Sequence, residues 1–206
     1  SLTVFELGDI ARRRDVSSVL LMALIHNITE FAQSHLELEK YLIVDEAWTL
    51  LKSATTALFL EDVLRTYRKL NAAAIMVTQQ VSDFEGRTGE AIRANAPNRF
   101  FLRQTSETVL AMERLLDLKP EEKQLLSGVT TVKGRFSEAL VLSPSTRGVV
   151  RLVPDPLTYW ITTTDPKDNE ALASEVRRLR AAGEAEPLRQ ALKECATRFP
   201  QGVLSR

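Results

Sequence analysis

Apolar and polar positions alternate along the first two thirds of the chain in blocks of two lengths. Longer segments with helical spacing separate four short apolar runs, which are residues 2–7, 41–44, 73–78 and 99–102. Strands separated by helices pair in parallel, because the crossover needs about the length of a helix. The pattern therefore predicts an α/β fold with a mostly parallel sheet flanked by helices.

The segment between the first two runs predicts one long helix over residues 16–34, with Asp15 as its N-cap. Apolar side chains fall on both of its faces, so we expect this helix to be well buried. Two further helical segments are predicted, one that ends at about residue 70 and one over residues 89–95.

The pattern changes after Gln104. Helices are predicted over residues 105–116 and 120–126, and a small antiparallel meander is predicted over residues 129–132, 136–142 and 149–153. Two more helices follow, the first capped by Asp165 and ended by Gly183. We accordingly expect two domains, a core of residues 1–155 and a helical tail of residues 156–206 packed on it.

Composition narrows the function classes. The 206 residues carry 27 basic and 27 acidic side chains and a single cysteine, Cys195. A balanced charge gives no electrostatic drive towards nucleic acid, and one cysteine excludes a disulfide framework or a thiolate metal cluster. No apolar stretch reaches the ~20 residues that span a bilayer, so any membrane association is expected to be peripheral.

Two adjacent carboxylates, Asp45 and Glu46, directly follow the second apolar run. In open α/β sheets, ligands bind at the carboxyl ends of the strands. Nucleotide hydrolysis with magnesium requires one carboxylate to hold the water shell of the metal and another to orient the attacking water. Neighbouring strand residues point to opposite faces, so the two acids could divide these tasks. The alternative is a strand end with two solvated acids.

The next two apolar runs also end in polar residues, Gln79 after the third and Arg103 with Gln104 after the fourth. An amide beside the acidic pair could sense the terminal phosphate or hold the attacking water, and the alternative is a turn residue. Arg65 and Arg68 lie at helical spacing and could reach a phosphate in a neighbouring subunit. Their alternative is a solvated helix face.

In this order, the motifs resemble the ATPase domain of the conjugative-transfer and type IV secretion ATPases. Residues 41–51, 65–69 and 77–84 carry the resemblance, and residues 154–160 and 162–166 are similar to the end of that domain. The resemblance implies a RecA-like P-loop NTPase core with a Walker B motif that uses ATP and Mg²⁺. It also implies a hexamer or lower oligomer, peripheral at the cytoplasmic side of the bacterial inner membrane, that works with other components of the secretion channel.

For individual residues, the resemblance implies that Asp45 holds Mg²⁺ through water, that Glu46 is the catalytic base and that Gln79 is the sensor. The other candidates are expected to contact the nucleotide, Arg65 and Arg68 in trans, and Arg103 and Gln104 from the last core strand.

One part of that family's site is missing from the sequence. No Gly-x-x-x-x-Gly-Lys-Ser/Thr loop is present, and Gly86 and Gly89 lack both the lysine and the spacing. The backbone N–H groups of that loop cradle the phosphates. We therefore expect these residues to be the carboxyl-terminal part of a longer ATPase, and the isolated chain to bind ATP weakly and hydrolyse it negligibly.

Two alternatives remain open at the level of sequence. One is a DNA-translocating hexameric ATPase of the coupling type, which the neutral charge balance and the lack of interleaved aromatic residues disfavour. The other is a catalytically inactive interaction module that docks onto an ATPase or a channel, which the missing phosphate loop favours.

Overall fold

A computed structural model describes residues 2–6, 14–45 and 54–203. Its helices are α1 (Arg14–Ser34), α2 (Ala54–Thr66), α3 (Gly86–Asn95), α4 (Ser106–Leu116), α5 (Pro120–Gly128), α6 (Pro156–Thr162), α7 (Pro166–Ala181) and α8 (Pro187–Arg198). Its strands are β1 (Lys40–Val44), β2 (Ala72–Met76), β3 (Arg99–Phe101), β4 (Thr131–Val132), β5 (Phe136–Leu142) and β6 (Arg147–Leu152). Two short 3-10 helices span Tyr67–Leu70 and Val81–Phe84.

The chain divides into two compact units. The first contains Ser1–Pro97 and Ala111–Asp117, and the second contains Asn98–Leu110 and Leu118–Arg206. Helix α4 therefore runs from one unit into the other. The expected partition into a core of residues 1–155 and a tail of residues 156–206 stays a prediction.

The first unit is built on a parallel pair of strands. β1 and β2 pair in register from Lys40 opposite Ala72 to Val44 opposite Met76. Helix α2 lies between them in sequence and buries Leu60 completely beside Val44. This confirms the parallel pairing predicted from two apolar runs separated by a helix, because only a crossover of that length returns the chain in the same direction.

Two expectations for the first unit are wrong. Residues 2–6 form no strand, because a strand needs a neighbour to share its hydrogen bonds and they have no ladder with the described strands. Helix α1 exists, but Val19, Met22 and Phe31 are exposed on it. A helix that is apolar all round needs cover on every side, and α1 packs mainly against α2 and the 3-10 helix after it.

The second unit contains an antiparallel sheet centred on β5. β6 pairs along β5 from Ser137 to Leu142, so β3 and β4 share the other edge of β5. Every second residue of β5 is buried, beginning with Glu138. The predicted meander is therefore confirmed, with β5 at its predicted bounds of residues 136–142.

The prediction that residues 99–102 extend the parallel sheet is wrong. β3 pairs antiparallel with β5, with Arg99 opposite Leu142 and Phe101 opposite Leu140. A strand of three residues has no local feature that sets its direction, which depends on a partner about forty residues later in the chain. Among the described strands, parallel pairing is confined to β1 and β2.

Helices α7 and α8 confirm the two helices predicted near the carboxyl-terminal side, and α6 is a further helix that the sequence pattern did not predict. Asp155 and Asp165 each accept two backbone N–H groups as N-caps of α6 and α7, and a proline follows each cap. Helices α6 and α8 enclose a small core of Tyr159, Trp160 and Cys195 with neighbouring apolar side chains. None of the helices in the described ranges has both the length and the apolar character needed to cross a bilayer.

Candidate functional site

The carboxyl ends of β1 and β2 lie at the same edge of the first unit. Beyond the last register pair, the Val77 N–H donates to the Val44 carbonyl oxygen at 2.9 Å. Asp45 follows immediately in an exposed turn, and Gln79 is exposed two residues after Val77. Because parallel strands end together, the Asp45 position and the segment that carries Gln79 leave adjacent strands side by side. Glu46 lies outside the described residues.

The segment after β2 is closed by hydrogen bonds around Gln79. The Thr78 hydroxyl contacts the Asp83 carboxylate. The Gln80 backbone N–H donates to the Thr78 hydroxyl oxygen at 3.3 Å. The Asp83 N–H donates to the Gln80 carbonyl oxygen at 3.2 Å and begins the 3-10 helix Val81–Phe84. The backbone on both sides of Gln79 is therefore held.

Helix α3 holds the far end of the same segment. The Arg93 guanidinium donates to the Phe84 carbonyl oxygen. Gly89 lies against the Phe84 backbone so closely that a Cβ atom there would fall 2.0 Å from the same oxygen. Gly86, which begins the helix, has a φ of +74°. The two glycines thus have local roles in packing and turning, which agrees with their lack of phosphate-loop spacing.

Arg65 and Arg68 lie at the opposite edge of the strand pair. Arg65 is in the last turn of α2 and Arg68 is in the 3-10 helix, and both are exposed. They precede the amino end of β2, where the Lys40 N–H donates to the Asn71 carbonyl oxygen at 3.1 Å. A strand of five residues separates its two ends by about 15 Å. The structure does not bring these arginines to the Asp45 edge within one chain.

Arg103 and Gln104 belong to the second unit. They follow β3 in the segment that leads to α4, where Arg103 is exposed and Gln104 is half-buried. Their position at the carboxyl end of a strand is as expected, but the strand is antiparallel to its partner β5.

The exposed Asp45 carboxylate is a ligand of the kind that holds a hydrated Mg²⁺ ion. Within the described ranges, no three His, Cys, Asp or Glu side chains come together to hold a metal. Mg²⁺ usually keeps several waters and takes one or two carboxylates together with the phosphates of its nucleotide. A single exposed carboxylate such as Asp45 fits that pattern.

Comparison with known proteins connects this edge with a family. Residues 6–129, more than half of the chain, match the AAA-like domain. The chain belongs to the AAA-like domain family. The match includes β1, β2 and the Thr78–Asp83 contact.

The AAA-like chain is similar to two bacterial proteins, one of which is a type IV secretion system protein. It is 31% identical over 85 residues to the type IV secretion system protein CagE of Helicobacter pylori, which is 41% of this chain and 9% of CagE. It is 26% identical over 179 residues to the protein TraC of Escherichia coli, which is 82% of this chain and 20% of TraC. These matches confirm the resemblance to the conjugative-transfer and type IV secretion ATPases.

A solved structure is also similar to this chain. The AAA-like chain is similar to VirB4 of Thermoanaerobacter pseudethanolicus, with a TM-score of 0.51 and 26% identity, over 78% of this chain and 41% of that chain. The match supports a P-loop NTPase-like α/β fold. The chain spans less than half the length of each of these three proteins.

A polar centre lies beyond the part of the chain that matches the AAA-like family, and the sequence analysis missed it. The Asp168 side chain is fully buried. It accepts hydrogen bonds from the Tyr159 hydroxyl at 2.6 Å, the Thr163 hydroxyl at 3.1 Å and the Val203 N–H at 2.7 Å. The Lys133 ammonium lies 3.2 Å away. These residues come from four separate segments of the second unit.

The partners of Asp168 stabilise its charged form. Burial alone would raise the pKa of this carboxyl, but the hydrogen bonds from Tyr159, Val203, Lys133 and Thr163 hold the pKa below its usual value. In the sequence, an aspartate in the first turn of a helix is explained by the helix dipole, so nothing local marked it as the centre of a network.

Proposed function

We propose that this AAA-like chain supplies the acidic pair and the sensor of an ATP-hydrolysing site, in an ATPase that powers type IV secretion or conjugative pilus assembly and substrate transfer. The observation that carries the proposal is the parallel, in-register pairing of β1 and β2. This pairing leaves the Asp45 position and the Gln79 segment at one edge, and the similarity to CagE and VirB4 supports the proposed role in a type IV secretion ATPase.

Each residue at the edge then has a role that its chemistry suits. Asp45 binds the water shell of Mg²⁺, Glu46 accepts the proton of the attacking water, and the Gln79 amide contacts the terminal phosphate or that water. When bound, Mg²⁺ neutralises charge on the phosphates. The sequence contains no Gly-x-x-x-x-Gly-Lys-Ser/Thr motif, and we propose that a phosphate-binding loop on other polypeptide supplies most of the ATP affinity.

The arginines fit a site that is shared between subunits. Since Arg65 and Arg68 lie at the edge away from Asp45, we assign them to the nucleotide of a neighbouring subunit in a homo-oligomer, with a hexamer as the expected form. Arg103 and Gln104 are assigned to nucleotide contact. The assembly would be peripheral at the cytoplasmic face of the inner membrane, together with other channel components.

ATP turnover tests the proposed roles. In a full-length protein that joins these residues to a phosphate loop, Glu46→Gln should retain ATP binding and abolish hydrolysis, because an amide accepts no proton from water. Glu39→Gln is the matched control, since Glu39 is exposed just before the amino end of β1. Full hydrolysis by Glu46→Gln would remove Glu46 from the mechanism. Turnover of about 1–100 per second by the isolated 206 residues would overturn the need for a further loop.

Mixed oligomers test the assignment of Arg68. Subunits with Arg68→Ala and subunits with Glu46→Gln should each be inactive alone, and mixing them should recover part of the activity. Recovery follows because some sites then combine an intact base with an intact arginine from the neighbour. Arg68→Ala protein that is inactive by itself and gains nothing from mixing would place Arg68 in its own subunit's site.

A further inference from the structure

We propose that Thr78 and Asp83 are positioning residues that hold the Gln79 amide at the carboxyl edge of β2. This inference rests on the sensor role proposed for Gln79 and adds the residues through which the structure controls it. Thr78 directly precedes Gln79 and is half-buried, and Asp83 is half-buried in the 3-10 helix that follows. Both belong to the first unit.

The hydrogen bonds form a closed ring that joins Thr78, Gln80 and Asp83 and fixes the backbone beside the exposed Gln79. The Thr78 hydroxyl is near two acceptors, the Asp83 carboxylate and the Gln80 carbonyl oxygen at 3.3 Å. A hydroxyl has one proton, and a carboxylate is the stronger acceptor, so we assign the proton to the bond with Asp83. The hydroxyl oxygen then accepts the Gln80 N–H at 3.3 Å. The Asp83 N–H closes the ring on the Gln80 carbonyl oxygen at 3.2 Å.

The chain is attached to secondary structure on both sides of this ring. On one side, the Val77 N–H bonds to the Val44 carbonyl oxygen at 2.9 Å and continues the β1–β2 ladder. On the other side, Arg93 and Gly89 of α3 hold the Phe84 backbone. Gln79 is therefore an exposed side chain on a backbone that is tied to two elements of secondary structure.

A fixed backbone matters for Gln79, because its proposed role depends on direct contact between its side chain and a phosphate or a water. A glutamine side chain on a mobile loop loses conformational entropy when it binds a phosphate or a water. That loss reduces the net free energy gained from the contact. A misplacement of about 1 Å can cost on the order of 100-fold in rate. Thr78 and Asp83 limit this loss without touching the nucleotide themselves.

Steady-state kinetics of the full-length ATPase separate positioning from general stability. We expect Thr78→Val to lower kcat by about 10- to 100-fold with the KM for ATP nearly unchanged, because the sensor is misplaced while the nucleotide still binds. Thr78→Ser keeps the hydroxyl and should restore most of kcat. Asp83→Asn keeps a neutral acceptor and should give an intermediate loss.

A double-mutant cycle identifies the residue through which Thr78 acts. If Thr78 works through Gln79, then Thr78→Val combined with Gln79→Ala should be no slower than Gln79→Ala alone. A further drop in the double variant would show an independent role and overturn the inference. If Gln79→Ala itself leaves kcat unchanged, the sensor role fails and this inference fails with it. If Gln79→Ala lowers kcat but Thr78→Val does not, the positioning role alone fails.

Amide hydrogen exchange tests the hydrogen-bonded ring in the 206-residue chain and requires no ATPase activity. The Gln80 and Asp83 amides should exchange faster in Thr78→Val than in the parent chain, and Thr78→Ser should leave them protected. Ser82→Ala is the matched control, because the Ser82 hydroxyl contributes only a 3.5 Å contact to the Gln80 side chain and no bond to the ring. Equal exchange in Thr78→Val and the parent would contradict the proposed hydrogen bonds.

Discussion

Replacing Asp168 by asparagine should markedly weaken the second unit. The buried carboxylate accepts three hydrogen bonds and pairs with the Lys133 ammonium. Asparagine keeps the shape but offers one acceptor oxygen, so an amide NH₂ must face either the Val203 N–H or the side that holds Lys133. Hydroxyl groups can rotate to accept from that NH₂, whereas an ammonium or a backbone N–H cannot. Hydrogen bonds to charged groups contribute about 1.5–3 kcal/mol each, so we expect a loss of about 2–4 kcal/mol.

The fluorescence of Trp160 reports on this unit. Trp160 is 1% exposed, its ring meets Tyr159 edge-on, and its indole N–H donates to the Phe199 carbonyl oxygen at 2.7 Å. The chain has two tryptophans, so a Trp48→Phe background makes Trp160 the single reporter. With a urea dependence of about 2 kcal/mol per molar, the unfolding midpoint should fall by roughly 1–2 M. Glu170→Gln is the control, because Glu170 is exposed on α7, the helix that also contains Asp168. This substitution should leave the unfolding midpoint unchanged.

The pH dependence gives a second test of the same reasoning. Because the folded-state pKa of Asp168 lies below its usual value, the charged carboxylate contributes stability above the ordinary aspartate pKa of about 4. That contribution is lost as the pH falls through the folded-state pKa. The gap between the unfolding midpoints of the parent and Asp168→Asn should therefore narrow as the pH falls below the ordinary aspartate pKa of about 4. Equal midpoints at neutral pH, or a gap that stays constant on acidification, would refute the account.

Three further predictions concern other buried or crowded positions. Gly134→Ala should destabilise the second unit and speed exchange of the Val203 amide, because the new Cβ would lie 1.9 Å from the Gln201 carbonyl oxygen at a φ of +68°. Burial raises the pKa of the Cys195 thiol, so alkylation should be slow in the native chain and fast in urea; rapid native alkylation would contradict that burial. Burial, with a smaller effect of Asp62, raises the pKa of Tyr67 to about 12, and burial together with the hydrogen bond to Asp168 raises the pKa of Tyr159, so at least two of the three tyrosines should ionise late in an absorbance titration.

Local signals predicted much of the fold. The cap at Asp165 and the strand β5 depend on residues close in sequence, and the structure has them where the pattern puts them. The shared edge of Asp45 and Gln79 needed one more rule, that strands separated by a helix run parallel. Features that depend on residues close in sequence, or on a single general rule of strand pairing, could therefore be predicted from the sequence.

The missed features depend on partners far away in the chain. β3 takes its direction from β5, and the Asp168 centre joins residues between Lys133 and Val203 that each have an ordinary local explanation. A lysine in a turn and an aspartate in a first helical turn predict solvated side chains when each is taken alone. Only their convergence removes Asp168 from water, and burial without those partners would have raised its pKa instead of lowering it. The charge state of this carboxyl is therefore a property of the assembled unit, which no single segment of the sequence contains.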